Sequence, residues 1–181
     1  MHILAITETL PMPDRASGDL RFFTLLGLLA KHHAVTLCAM NTAGQKRRLG
    51  DDAYASYREG LAAQGVSVAE GLPLLLRKRS WDVVFFEFYQ PAMAMLDEAR
   101  FRQPGARIVV DSVDVHFRRF AAKAELTGAI ADRETADQVR QDELDTYGRA
   151  DMVVVVTEDD RQTLRGMLPG LPMTVLPNVH A

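Results

Sequence analysis

Short, uninterrupted apolar segments alternate along this chain with segments whose apolar residues recur every three or four positions. The uninterrupted type is clearest at 152–156 and 82–86, which are rich in β-branched and aromatic residues. Such runs are typical of strands that are buried on both faces of a parallel sheet. The pattern predicts strands at 2–7, 34–40, 66–69, 82–86, 107–111, 152–156 and 173–176.

The intervening segments have helical periodicity. They predict helices at 19–32, about 48–64, 89–101, 117–148 and 159–168. Gly128 is expected to divide the fourth of these, and Thr157 and Asp160 have the spacing of a capping box before the last. We expect 117–148 to be the weakest part of the core because its apolar stripe is thin, consisting of Leu126, Ile130, Val139, Leu144 and Tyr147.

The alternation of strands and helices implies βαβ units with right-handed crossovers, which build a doubly wound parallel sheet. The predicted fold class is therefore α/β, a Rossmann-like three-layer α/β/α sandwich with about seven strands. The 181 residues are enough for one domain with a full core, since 48% of them are hydrophobic.

Net charge and cysteine content limit the binding partners and the cellular compartment that we expect. The net charge of −3 provides no basic face for nucleic acid, so nucleic acid is not expected as a partner. Cys38, the single cysteine, lies in an apolar run and is predicted to be a small core residue, which fits a reducing cytoplasm. The first seven residues are predicted to form a strand rather than a signal peptide, and no apolar run approaches the roughly 20 residues of a membrane span.

The segment 72–81 combines an apolar run, the basic triplet Arg77-Lys78-Arg79 and Trp81. One interpretation is peripheral contact with the inner face of an anionic membrane. We favour the other, a core-facing helix with a basic end, because short basic runs are usually solvated.

Standard cofactor and metal motifs are missing from the sequence. It has no glycine-rich dinucleotide fingerprint, no P-loop, no zinc-ligand spacing and no nucleophile elbow. Two acids alone, Asp111 and Asp114, are weak evidence for a divalent cation. We therefore expect no cofactor and no metal.

Titratable residues are most concentrated just after the predicted strand at 107–111. Asp111, Asp114 and His116 follow this strand, and in open α/β sheets ligands bind outside the carboxyl ends of the strands. Ser112 and Asp114 have an alternative role as caps of the next helix. His116 has no such role, because a helix start gains nothing from histidine.

A polar, proline-bearing loop follows the first strand and ends at Ser17, Gly18 and Asp19. Gly18 allows close approach of the backbone to a ligand, and the amide groups of the following helix attract an anion such as phosphate. An equally weighted alternative is a surface loop in which Ser17 or Asp19 caps the helix.

Taken together, these motifs resemble the amino-terminal domain of family 4 glycosyltransferases, which have the GT-B architecture. The resemblance spans nearly the whole chain. It is carried by 17–21, by the helix and strand ending His33-Ala34-Val35-Thr36-Leu37, by 81–85, by 111–117, by the strand before Thr157-Glu158, and by Val175-Leu176-Pro177-Asn178-Val179.

The resemblance implies transfer of a sugar from a nucleotide-sugar donor to a saccharide or lipid-linked acceptor, with retention of configuration and without metal. It implies an acceptor-side domain at 1–176, an interdomain linker beginning at 177–181, and a donor-binding domain that is absent here. The isolated domain is expected to be inactive. Alternatives are another GT-B enzyme, such as a sugar epimerase or phosphorylase, and a non-catalytic flavodoxin-like binding module.

The same resemblance assigns roles to individual residues. Ser17 and Gly18 would line the donor phosphates, and His116 would face the cleft as the catalytic candidate. Many members have two glycines in the first loop, whereas this chain has Asp19, which is electrostatically unfavourable beside a diphosphate and is better suited to capping or acceptor contact.

Further acids are expected to support the acceptor side. Asp111 and Asp114 are expected to position His116 or the sugar hydroxyls. Glu87 follows the strand at 82–86 and, with Tyr89, could bind acceptor hydroxyls at the rim of the cleft. The alternative for Glu87 is a solvated loop acid.

Overall fold

The computed structural model describes residues 1–179 and has all seven predicted strands within a residue or two of their expected bounds. They are β1 His2–Thr7, β2 Ala34–Ala39, β3 Ser67–Ala69, β4 Val83–Glu87, β5 Arg107–Asp111, β6 Met152–Val155 and β7 Met173–Val175. Every pairing between them is parallel. The predicted α/β class is confirmed.

Helices connect the strands on both faces of the sheet. They are α1 Ser17–Ala30, α2 Thr42–Leu49, α3 Asp51–Ala63, α4 Leu72–Lys78, α5 Tyr89–Arg102, α6 His116–Thr127, α7 Ile130–Gly148 and α8 Glu158–Met167. The result is a three-layer, Rossmann-like α/β/α fold. The Thr157 cap is also confirmed, since Thr157 Oγ1 accepts a hydrogen bond from the Asp160 amide at 3.0 Å and donates to Asp160 Oδ2 at 2.6 Å. The reciprocal bond of a capping box, to the Thr157 amide, is not found among the described residues.

The strand order is β3-β2-β1-β4-β5-β6-β7, so the chain starts in the middle of the sheet, builds one side and then crosses to the other. The direction of winding reverses between β1 and β4. Such a reversal opens a crevice at the carboxyl ends of the strands, where ligands bind in this class of fold.

The core lies on both faces of the sheet because successive strand residues point to opposite sides. Leu4, Val84 and Val110 face one layer, whereas Ile3 and Val109 face the other. Cys38 is buried in the first of these clusters, and burial raises the pKa of its thiol to about 11. Its prediction as a small core residue is confirmed.

The helix predicted at about 48–64 is present as α3, which begins three residues later than expected, and the preceding helix α2 was not predicted. Gly50 has φ +84° and separates α2 from α3. A positive φ is the conformation that glycine adopts without steric cost. Hydrophobic periodicity did not predict α2, because this helix is polar and buries only Gln45.

The segment 117–148 is divided at Gly128, which has φ +65°, as predicted. Two members of its expected apolar stripe are not in the core, since Leu126 is 89% exposed and Ile130 is 74% exposed. The buried face of α7 instead includes Glu143 and Tyr147.

The segment 72–81 contains a core-facing helix with a basic end, as the favoured interpretation expects. Leu72 and Leu76 of α4 are buried, while Arg77 and Lys78 at its end are exposed. Across residues 1–179, no helix has the length and apolar character needed to cross a membrane.

Candidate functional site

Three polar residues end adjacent strands beside the point where the winding reverses. Thr7, Glu87 and Asp111 are the last residues of β1, β4 and β5, and all three are buried. Glu87 and Asp111 are direct partners in the parallel register. Glu87 is therefore a buried strand residue, and the alternative of a solvated loop acid is wrong.

The Glu87 carboxyl group has one partner and one free oxygen. Its Oε2 lies 2.5 Å from Thr7 Oγ1, whereas Oε1 has no hydrogen-bond partner among the described residues. Burial raises the pKa of Glu87 well above its usual value, and the nearby Asp111 charge adds to the rise. In its protonated form a carboxyl group can donate a hydrogen bond, which a carboxylate cannot.

Asp111 is held in a buried ion pair. Its Oδ2 accepts a hydrogen bond from Arg21 Nη1 at 2.6 Å, and the two side chains are 0% and 1% exposed. Burial raises the pKa of Asp111, and Arg21 opposes that rise. Arg21 also donates from Nε and Nη2 to the Leu176 carbonyl oxygen, at 3.1 and 3.0 Å, so it joins α1, β5 and the residue after β7.

The turns that leave β4 and β5 contain strained backbone. Phe88 has φ 67° and Val113 has φ 53°, a left-handed conformation that is rare for bulky and β-branched residues. Asp111 Oδ1 accepts from the Val113 amide at 3.2 Å and so holds the second turn. Such strain concentrates at ligand sites, where the surrounding structure imposes it.

His116 begins α6 at this edge. Its Nδ1 lies 3.0 Å from the Asp114 carbonyl oxygen and 3.3 Å from Glu143 Oε1. Because both atoms are acceptors, Nδ1 carries the proton in the neutral ring and Nε2 keeps its lone pair. No partner for Nε2 is found within residues 1–179, and Phe88 and Tyr89 pack edge-on against the ring.

Glu143 holds the start of α6 in place. It is fully buried, and its carboxylate accepts from the His116 amide at 3.0 Å, the Phe117 amide at 2.8 Å and the Tyr147 hydroxyl at 3.0 Å. Burial and the Glu143 charge raise the pKa of Tyr147 well above its usual value, so this hydroxyl remains a donor.

The role expected of Ser112 or Asp114 therefore belongs to Glu143. The residue before α6 is Val115, and no side chain caps the helix locally. Asp114 reaches His116 through its main-chain oxygen, while its carboxylate lies 3.1 Å from Arg119 at the surface. Sequence reasoning missed Glu143 because it lies 27 residues from His116 in a polar helix.

The first loop approaches the same edge through Gly18. A Cβ atom at Gly18 would lie 3.2 Å from Val113 Cγ1, so the start of α1 packs closely against the turn after β5. Ser17 is exposed and is the first residue of α1. Its side chain forms no hydrogen bond within the described residues.

Neither Ser17 nor Asp19 caps α1, contrary to the alternative interpretation. The residue before the helix is Ala16, which has no side-chain capping bond. Asp19 Oδ2 instead accepts from the Met12 amide at 2.8 Å and fixes the loop to the helix. Partial burial raises the pKa of Asp19.

The edge thus brings together Glu87, Tyr89, Asp111 and His116, with Gly18 beside them. Sequence reasoning did not foresee Thr7, Arg21 or Glu143. Among the described residues, no group of three or more His, Cys, Asp or Glu side chains could hold a metal ion.

Comparison with known proteins adds a structural likeness. No family model matches the chain, and no curated protein matches it. The structure is similar to that of UGT2 from Phytolacca americana, solved with UDP-2fluoro-glucose and pterostilbene, at a TM-score of 0.54 and 13% sequence identity. This chain has a glycosyltransferase-like fold.

The similarity covers 98% of this chain and 54% of the UGT2 chain. The chain described here therefore spans about half the length of that glycosyltransferase. At this identity the likeness concerns the path of the chain, and the site residues have to be argued from their own geometry.

Proposed function

We propose that residues 1–176 form the acceptor-side domain of a GT-B glycosyltransferase of the family 4 type. The full protein would transfer a sugar from a nucleotide-sugar donor to a saccharide or lipid-linked acceptor, as in the synthesis of cell-surface polysaccharide. Residues 177–181 would begin the linker to a donor-binding domain. Of these, 180 and 181 lie outside the described residues. The fold shared with UGT2 supports the proposal at the level of the domain.

The observation that carries the proposal is the fixed orientation of His116 at the carboxyl edge of the sheet. Two acceptors hold Nδ1, so an unpaired Nε2 remains for a ligand. A neutral imidazole nitrogen of this kind can accept a hydrogen bond from a sugar hydroxyl, and after protonation it can stabilise developing negative charge.

The remaining site residues divide between the two substrates. Glu87 and Tyr89 would hydrogen-bond acceptor hydroxyls, while Asp111 and Asp114 would support the turn and the histidine. Ser17 and Gly18, at the start of α1, would meet the donor diphosphate, because amide groups there favour an anion. The nucleotide sugar is a substrate in this scheme, with no cofactor or metal, and the reaction would proceed with retention in the cytoplasm.

The test uses the longest protein that contains this chain, assayed against a panel of nucleotide sugars. His116→Ala should lower turnover by at least about 10²-fold while leaving the thermal unfolding midpoint close to that of the wild type. Residues 1–181 alone should show no turnover. Unchanged turnover in His116→Ala would remove His116 from the mechanism.

The assay also separates the alternatives. Interconversion of a nucleotide sugar without an acceptor would indicate an epimerase, and phosphate-dependent cleavage of a saccharide would indicate a phosphorylase. Turnover by residues 1–181 alone would contradict the two-domain proposal.

A further inference from the structure

A cavity that shares no residue with the candidate site lies between α1, α3 and the loop after β1. It has a volume of about 360 Å³, within the range of roughly 300–1,000 Å³ that is typical of small-molecule sites. We call it the α1–α3 cavity, and it is lined by Pro13, Asp14, Phe23, Ala53, Ser56, Tyr57 and Gly60.

Two aromatic side chains line the cavity and are only half-buried. Phe23 comes from α1 and Tyr57 from α3. Aromatic rings supply large, rigid apolar contact area, against which the C–H groups of a ring-shaped ligand can pack. Ligand sites commonly combine such apolar surface with a few polar groups that orient the ligand.

Gly60 leaves the Phe23 ring open to the cavity. It lies inside α3, where glycine lowers the stability of the helix relative to alanine. A Cβ atom at this position would lie 3.7 Å from Phe23 Cε2, which is an ordinary van der Waals contact. Close packing therefore does not require glycine here, whereas a long side chain at this position would cover the ring.

The polar groups of the cavity suit a neutral ligand that carries several hydroxyl groups. The Tyr57 hydroxyl donates to both carboxylate oxygens of Asp14, at 2.8 and 3.1 Å. Each of these oxygens has a further lone pair for a ligand hydroxyl, and the exposed Ser56 hydroxyl can both donate and accept. Within residues 1–179, the lining has no basic side chain, and the Asp14 charge would repel an anion.

The loop that forms one wall of the cavity is held in place by hydrogen bonds. The Met12 amide donates to Asp19 Oδ2 at 2.8 Å. The Leu10 amide and carbonyl groups bond to the buried Gln45 side chain at 2.8 and 2.9 Å. Because this wall is ordered before a ligand binds, the entropic cost of binding is lower.

The same loop connects the cavity to the candidate site. Asp14 lies at the cavity, and Gly18, four residues later, packs beside Val113 at the carboxyl edge. Four residues span at most about 14 Å. A ligand made of several sugar units can therefore extend along the loop from one site to the other.

We propose that the α1–α3 cavity is a saccharide subsite that binds sugar units of an extended acceptor, away from the unit that reacts. A hexose ring would pack on Phe23 and Tyr57, and its hydroxyl groups would bond to Asp14 and Ser56. The inference rests on the proposed function for the role of the saccharide as acceptor. Binding itself can be measured without turnover.

Amide NMR spectra of the 181-residue chain test the proposal by titration with neutral hexasaccharides of glucose, mannose and galactose. At least one should shift the resonances of 13–14 and 53–60 and bind at least about tenfold more tightly than its monosaccharide. Gly60→Leu should weaken this binding by at least about tenfold, because the new side chain covers Phe23. The same variant should raise the thermal unfolding midpoint, because leucine has the higher helix propensity, so misfolding would not explain the loss.

The chain offers matched controls. Gly166→Leu adds the same side chain to α8, at a position where a Cβ atom would have no described atom within 4 Å, and should leave binding unchanged. Phe23→Leu removes the aromatic ring and should weaken binding by about fivefold. Phe101→Leu, at a site that is 72% exposed on α5, should not weaken it.

Three results would overturn the proposal. One is the absence of binding by all three hexasaccharides, and shifts of the same resonances by tetramethylammonium would then assign the cavity to a cation. Another is an equal loss of binding in Gly60→Leu and Gly166→Leu. The third is a set of saccharide shifts confined to residues around Glu87 and His116, which would leave the proposed function standing. Saccharide binding at the cavity in a protein without transferase turnover would support the site and contradict the proposed function.

Discussion

At the scale of single residues, several polar groups of the carboxyl edge are held by hydrogen bonds to other parts of the protein. Glu143 meets two amides and a hydroxyl, Asp111 meets a guanidinium, and His116 meets a carbonyl. Glu87 Oε1 and Ser112 Oγ are buried at this edge without a partner among the described residues. Of these two groups, only the Glu87 carboxyl group can change its charge by losing a proton.

The Glu87 side chain should make stability depend on pH. Its pKa is raised in the folded protein, so the folded state retains the proton longer than the unfolded chain does. Its stabilising contribution is complete below about pH 4.5 and is lost as pH rises through the raised value, by at most about 1.4 kcal/mol per pH unit. Urea unfolding of the wild type and Glu87→Gln between pH 4 and 9 should therefore diverge, with the variant gaining relative stability at high pH.

The comparison cancels the contribution of Asp111, which is present in both proteins. Parallel pH profiles for wild type and Glu87→Gln would show that Glu87 is ionised in the folded state across this range, contrary to the expectation from its burial.

The His116 ring should be a single tautomer when neutral. With two acceptors beside Nδ1, the proton should reside there, and nitrogen chemical shifts of the ring should report an unprotonated Nε2. The exposed His32 is the internal control, because water allows both of its tautomers. A proton found on Nε2 of neutral His116 would contradict the orientation on which the proposed function rests.

At the scale of elements, the sequence predicted those helices, strands and turns whose structure is determined by their own residues. The strand at 152–156, the division at Gly128 and the cap at Thr157 follow from the chemistry of those positions. The helix α2 did not follow, since its polar sequence buries a single side chain, Gln45, whose hydrogen bonds go to the distant Leu10.

The Thr157 cap gives a direct measure of such local chemistry. Thr157→Ala removes the acceptor for the Asp160 amide and should lower the free energy of unfolding by about 1 kcal/mol. Thr163→Ala, inside the same helix, should be neutral or slightly stabilising because alanine has the higher helix propensity. Chemical denaturation measures both, and equal losses would mean that Thr157 acts through something other than capping.

At the scale of the whole molecule, the sequence was sufficient for the fold and insufficient for the site. Buried parallel strands are apolar throughout, so the pattern of residues alone reveals where along the chain each strand lies. The contacts that build the site join distant positions, since Arg21 and Asp111 are 90 residues apart. The local sequence around either residue does not identify the other as its partner.

Removing one partner of the buried Arg21–Asp111 ion pair should strongly lower the free energy of unfolding. Arg21→Met leaves a buried carboxylate without its partner and should cost about 3–5 kcal/mol of unfolding free energy. Adding Asp111→Asn removes the unpaired charge and should restore part of the loss, which chemical denaturation of the single and double variants would measure. A double variant no more stable than Arg21→Met would show that the charge is not the source of the cost.

The hydrogen bonds from Arg21 to the Leu176 carbonyl oxygen limit where the main chain can bend. The main chain is anchored to α1 and β5 at the residue after the last strand, so Leu176 moves with the sheet. The main chain after Leu176 can rotate only about later backbone bonds. At Pro177 the ring fixes the φ angle, so rotation about that bond is lost. Arg21 therefore sets the point at which the main chain is released from the sheet, and the same side chain pairs with Asp111 in the candidate site.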